Sequence, residues 1–106
     1  ECQQVSGSFK IRGALNALLA LTPEQRARGV VASSAGNHGR GIAMAAERLG
    51  VAATVFVPSS APAIKRDGIA AHGARVDATS AGYDAAETAA RRFAVATGAT
   101  RLGRKA

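Results

Sequence analysis

Four glycines divide this chain into repeating steps. Gly29, Gly50, Gly73 and Gly98 each close a stretch with helical spacing, and each is followed by a short run suited to a strand. The runs are Val30-Val31-Ala32, Ala53-Thr54-Val55-Phe56-Val57, Arg75-Val76-Asp77 and Ala99-Thr100-Arg101-Leu102. Glycine is a common stop just past the last helical residue, because without a Cβ it enters the left-handed region freely. Strand and helix in regular alternation argue for right-handed crossovers between parallel strands, with helices on both faces of the sheet. The predicted fold class is α/β, a three-layer open parallel sheet with one further helix ahead of it.

The helical stretches are read from their apolar spacing. Phe9, Ile11, Leu15, Leu18, Leu19 and Leu21 predict a helix over 8–21. Thr22 then reads as an N-cap, Pro23 as the first residue of a short helix, and Gln25 as the reciprocal capping partner. A helix over 37–49 places Ile42, Ala43, Ala45, Ala46 and Leu49 on its apolar side. Pro58 stops the second strand, and Ser60-Ala61-Pro62 opens a third helix running to His72. Gly82-Tyr83-Asp84 leads into an Ala-rich helix ending at Thr97. The last residues, 103–106, carry no periodicity and read as a frayed tail.

Composition narrows the function classes. At 106 residues, with 47% hydrophobic residues, the chain suits one small domain with a packed core. It contains no apolar stretch of about 20 residues that could span a bilayer. Glu1-Cys2-Gln3-Gln4 has neither the basic start nor the apolar run of a signal peptide, and Glu1 in place of Met predicts a start inside a longer protein. Cys2 is the single cysteine, which excludes an internal disulfide or a cysteine-cluster metal site and favours a reducing, cytoplasmic setting. The net charge of +7 raises a nucleic-acid reading. The basic residues are dispersed, however, aromatic residues are 4%, and no base-reading motif appears, so scattered surface charge is the preferred account.

Two segments carry chemistry. Ser33-Ser34-Ala35-Gly36-Asn37-His38-Gly39 follows a strand and opens a helix, which puts it at the carboxyl edge of a parallel sheet, where open α/β sheets bind ligands. Free N–H groups and the helix dipole favour an anion there. The segment matches neither a Walker loop nor the dinucleotide fingerprint, so a carboxylate or small anion fits better than ATP or NAD. An ordinary capped helix start is the bland alternative. His38 has no second ligand at metal spacing, which argues for hydrogen bonding rather than metal. His72, by the same logic, reads as a surface residue. In the other segment, Ser8-Phe9-Lys10-Ile11, Lys10 lies between apolar neighbours at a helix start, and both conditions favour its neutral, nucleophilic amine. A solvated lysine is the bland alternative.

At these residues the sequence resembles the serine/threonine dehydratase and serine racemase branch of fold-type II pyridoxal-phosphate enzymes. Ser8-Phe9-Lys10-Ile11-Arg12-Gly13-Ala14 is similar to the family's cofactor-lysine motif, and Ser34-Ala35-Gly36-Asn37-His38-Gly39 to its substrate-carboxylate loop. Val57-Pro58, Ala61-Pro62 and Lys65 resemble a third stretch, and Gly73-Ala74-Arg75-Val76 the turn and strand after it. The resemblance implies pyridoxal 5'-phosphate as cofactor, held by Lys10, which then acts as base on the substrate α-carbon. Phe9 would pack near the cofactor ring and Asn37 would hydrogen-bond its phenolic oxygen. Ser34, Ala35, Gly36, Asn37 and His38 would bind the substrate carboxylate, largely through loop donors.

The implied reaction is a lyase reaction: dehydration and deamination of L-threonine or L-serine to a 2-oxo acid and ammonia. Serine racemases carry a second serine at the position of Ala35, and Ala35 cannot move a proton, so dehydration is favoured over racemisation. Some features depart from the family. No glycine-rich phosphate loop appears in these residues, Arg40 stands where a Gln is more usual, and the family continues into a second, larger domain. The implied division is a lysine-bearing segment over 1–28 that belongs to the large domain in relatives, an α/β small domain over 29–102, and the tail. The face of Leu15, Leu18 and Leu19 is expected to be open for self-association. Two readings therefore stand: a partial dehydratase, and a folded remnant that binds a small anion or a partner without catalysis.

Overall fold

The computed structural model describes residues 15–33 and 37–102, with backbone alone for Asn37 and His38. Residues 15–19 are helical (α1) and are followed by α2 (Pro23–Arg28), β1 (Val30–Ser33), α3 (Asn37–Leu49), β2 (Ala53–Pro58), α4 (Ala63–Ala70), β3 (Arg75–Ser80), α5 (Tyr83–Thr97) and β4 (Thr100–Arg101). The part of the first predicted helix that precedes residue 15 lies outside the described residues, as does the tail over 103–106.

Among the described residues the strands form one sheet in the order β3-β2-β1-β4, with every pairing parallel. From β1 the chain steps outward through α3 and α4 to β2 and β3. It then returns through α5 to place β4 on the other side of β1. The strand alternation divides the core into two layers. Val30, Ala32, Val55 and Val57 pack with Ile42, Ala43, Ala45 and Ala46 of α3 and Ile69 of α4. On the opposite face Val31 and Phe56 pack with Ala86 and Ala90 of α5 and with Ala99. Helices thus cover both faces, as the alternation predicts. Alanine on the inner side of α3 and α5 lets both helices approach the sheet closely. On the α5 side the remaining gap is filled by Phe93, whose ring meets Phe56 edge-on at 5.6 Å.

Gly29, Gly50, Gly73 and Gly98 all have positive φ, from 69° to 88°, the backbone that favours glycine, and Gly98 closes α5 in the left-handed helical region. The restart at Thr22 is also as its residues predict. Gln25 N–H donates to Thr22 Oγ1 at 3.1 Å, and Thr22 N–H donates to Gln25 Oε1 at 2.8 Å.

Three features differ from the expectation. Firstly, α4 begins at Ala63 and ends at Ala70 rather than running from Ser60 to His72. Ala61 N–H donates to Pro58 O, which closes a turn ahead of the helix, and tight bonds from His72 to Ile69 and from Gly73 to Ala70 unwind its end.

Secondly, β3 continues to Ser80 instead of stopping at Asp77. The register runs Phe56↔Asp77 and then Pro58↔Ser80, so β3 carries one extra residue between the two pairs, just ahead of the proline, which has no N–H to offer. Asp77 Oδ1 holds the irregular stretch by accepting from Thr79 N–H at 3.1 Å and from its hydroxyl at 2.7 Å.

Thirdly, the predicted apolar face of the first helix is not left open. Leu18 is fully buried in the α3 layer, with Leu15 and Leu21 partly buried against it, and only Leu19 of the set points outward, 54% exposed.

Candidate functional site

The topology fixes where a ligand would sit. The chain turns one way out of β1, into α3, and β4 comes to lie on the other side of β1. The crevice beyond the carboxyl ends of β1 and β4 is therefore the switch point of the sheet, the usual ligand position in open α/β folds. The end of β1 at Ser33 and the start of α3 at Asn37 lie at that edge. Of the predicted site residues, Phe9, Lys10, Ser34, Ala35 and Gly36 lie outside the described residues, and Asn37 and His38 are placed by their backbone as the first residues of α3.

Local sequence explains this placement. β1 is buried along its whole length, so it must be a central strand, and its four residues bring the chain straight to the edge. α3 is held by Ile42, Ala43, Ala45 and Ala46, which lock its inner side to the sheet and aim its N-terminus at the crevice. Gly39 and Gly41 are buried in its opening turns, and Arg40 between them is exposed. The Arg40 side chain leans towards α4, with its Cδ 3.8 Å from where a Cβ on Gly68 would stand.

The carboxyl edge is electrically one-sided. α3, α4 and α5 each follow a strand, so all three present their N-termini there. The first turns of α3 and α4 hold no acidic residue, and neither Pro62 nor Gly82 caps its helix with a side chain. The opening turns instead carry Arg40 on α3 and Lys65 and Arg66 on α4, against Asp84 on α5. Helix dipoles and cations act in the same sense, and an anion is the complementary ligand.

Ser33, the last residue of β1, is 8% exposed, and among the described residues it is the buried polar one. Sequence reasoning placed it at the start of the anion-binding segment but not among the residues that bind the carboxylate. His72 is not a free surface residue. Its Nδ1 lies 2.9 Å from Glu47 Oε1, which ties the exit of α4 to the last turn of α3 at the end of the helix away from the crevice. Among the described residues no group of His, Cys, Asp and Glu could hold a metal ion. Nor is any helix there long and apolar enough to cross a membrane.

Known proteins share this fold and sequence. The model of the pyridoxal-phosphate dependent enzyme family matches residues 1–103. The chain is 46% identical over 76 residues to the catabolic L-threonine dehydratase TdcB of Staphylococcus aureus (strain USA300), covering 72% of this chain and 22% of that protein. It is 38% identical over 99 residues to the serine racemase of Oryza sativa subsp. indica, covering 93% of this chain and 29% of the other. In structure it is similar to the processed form of threonine deaminase isoform 2 from Solanum lycopersicum, with a TM-score of 0.85 and 36% identity over 90% of this chain and 28% of that one. The chain thus spans 22% to 29% of the length of these three proteins. With the family model matched over residues 1–103 and a parallel α/β sheet in space, the chain belongs to the pyridoxal-phosphate dependent enzyme family.

Proposed function

We propose that this chain supplies the lysine segment and the substrate-binding α/β unit of a cytoplasmic enzyme that eliminates water from L-threonine or L-serine, giving a 2-oxo acid and ammonia. The observation that carries the reading is the opening of α3 at the switch point of the sheet, directly after the residues that resemble a substrate-carboxylate loop. The identity to a threonine dehydratase supports the same direction.

The donor set fits the family's cofactor: Lys10 offers an amine for an aldehyde, Phe9 an apolar face for a ring, and Asn37 an amide for a phenolic oxygen. When bound, pyridoxal phosphate delocalises the electron pair left at the substrate α-carbon. The remaining work falls to the chain. Ser34, Ala35, Gly36, Asn37 and His38 clamp the carboxylate with N–H and side-chain donors, and the dipole of α3 favours the negative charge. That clamp orients the α-hydrogen toward Lys10, whose amine removes the proton; the β-hydroxyl takes up a proton in turn and leaves as water, so that one molecule of water is lost in this step. The resulting enamine takes up water and releases ammonia. Ala35 offers no hydroxyl to the opposite face of the α-carbon, so reprotonation there, and hence racemisation, is disfavoured. The division into a lysine segment over 1–28, an α/β unit over 29–102 and a tail belongs to the same proposal.

The test is to incubate the protein with pyridoxal phosphate and L-threonine or L-serine and to measure 2-oxo acid, ammonia and D-serine. The expected result is 2-oxo acid and ammonia in equal amounts, little D-serine, and loss of all products in Lys10→Ala. D-serine as the main product would replace dehydration with racemisation. Amino-acid binding without any product would leave the non-catalytic anion-binding reading.

A further inference from the structure

We propose that Asp77 guards the open edge of the sheet: by holding the Thr79 N–H, it keeps β3 from pairing with β3 of a second copy of this chain. Three observations carry the inference. β3 ends the strand order, and among the described residues it pairs with β2 alone. Ser80 O accepts from Ser59 N–H at 2.7 Å, so Ser80 turns its backbone towards β2. Successive residues of an extended strand turn their backbone groups to opposite sides, which directs the Thr79 N–H to the open side. That N–H does not stand free. It donates to Asp77 Oδ1 at 3.1 Å, and the Thr79 hydroxyl donates to the same oxygen at 2.7 Å.

A row of unpaired backbone groups on an edge strand is a template for another strand. An incoming strand would have to offer a carbonyl oxygen to the Thr79 N–H. It would meet a carboxylate there instead, which accepts hydrogen bonds and donates none. The extra residue in β3 between the Phe56 and Pro58 pairs bends the same stretch and supports the guard. The occupant held off is a second copy because of length and symmetry. β4, at the other end of the sheet, has two residues and offers too short an edge, whereas β3 has six. Two identical β3 edges can pair about a two-fold axis, each completing the other.

The experiment measures mass by sedimentation equilibrium over one concentration range. It compares the unaltered protein with Asp77→Ala, Asp77→Asn and the double variant Asp77→Ala with Thr79→Pro. Hydrogen exchange is followed in residues 75–80. Asp77→Ala is expected to raise the apparent mass about twofold at the upper concentrations, with exchange in 75–80 slowing as concentration rises. Asp77→Asn keeps an oxygen for the Thr79 N–H and should match the unaltered protein. Thr79→Pro removes the N–H itself, so the double variant should return to the unaltered mass. An unchanged mass in Asp77→Ala would overturn the proposal. So would a rise that the proline leaves in place, a rise without slower exchange in 75–80, or an equal rise in Asp77→Asn. If Asp77→Ala does not fold, Asp77→Val, whose branched side chain suits a strand, must show the same rise and the same reversal by proline.

Discussion

Gly29 holds φ 88° and ψ 179°, a region that residues with a Cβ essentially do not occupy. A Cβ placed there would also stand 2.9 Å from Ala52 O, the carbonyl that accepts Val30 N–H at 2.9 Å. The residue therefore joins α2 to β1 and admits β2 beside it. Gly29→Ala is expected to destabilise the fold by about 1–3 kcal/mol, read as a lower denaturation midpoint with unchanged slope. Ala35 is the residue on which reaction choice turns in the proposed function. Ala35→Ser should raise the ratio of D-serine to 2-oxo acid, and a ratio that stays flat would remove Ala35 from the account of specificity. Single residues with strong local rules were legible in the sequence: the glycine stops, and Thr22 with Gln25. Leu18 and Leu19 were not separable that way, because both lie on one apolar stripe and only the position of the sheet decides which turns inward.

Among the elements, the short helix α2 shows how much a cap can do. It has six residues and buries none of them, so its stability comes from the paired bonds of Thr22 and Gln25 and from Pro23 in the first turn. Thr22→Ala should cost about 1 kcal/mol, measurable by thermal unfolding. A larger loss would indicate that the cap also holds Arg26 against Leu19 O. The long helix α5 and the strands β1 and β2 could be read from periodicity because their faces are settled by burial. The end of β3 could not. Its last residues continue the ladder past an irregularity that Asp77 steadies by folding back on Thr79, with Ser59 N–H donating to Ser80 O beyond it, a pairing that no single strand announces. The limits of α4 were misjudged for a similar reason. Pro62 suits a first helical turn, but the turn closed by Ala61 N–H on Pro58 O occupies the residues before it, leaving Pro62 as the cap.

At the scale of the whole molecule, the strand order is the decisive fact. Alternation in the sequence implies a parallel sheet, but the return of α5 to put β4 beside β1 is a long-range choice, and it creates the crevice on which α3 opens. Three helix N-termini and the cations Arg40, Lys65 and Arg66 share that edge, so its field suits the carboxylate of an amino acid and an anionic cofactor alike. The chemistry proposed for the site was read from the motifs around Lys10 and Asn37. The one-sided edge was not, because it depends on which helices start together in space. The central claim is that this edge and Lys10 form one site. Its most direct test is to titrate the protein with pyridoxal phosphate, reduce with borohydride and map the modified residue. The account predicts saturable, stoichiometric modification confined to Lys10. Weak, non-saturating modification spread over Lys10, Lys65 and Lys105 would contradict it.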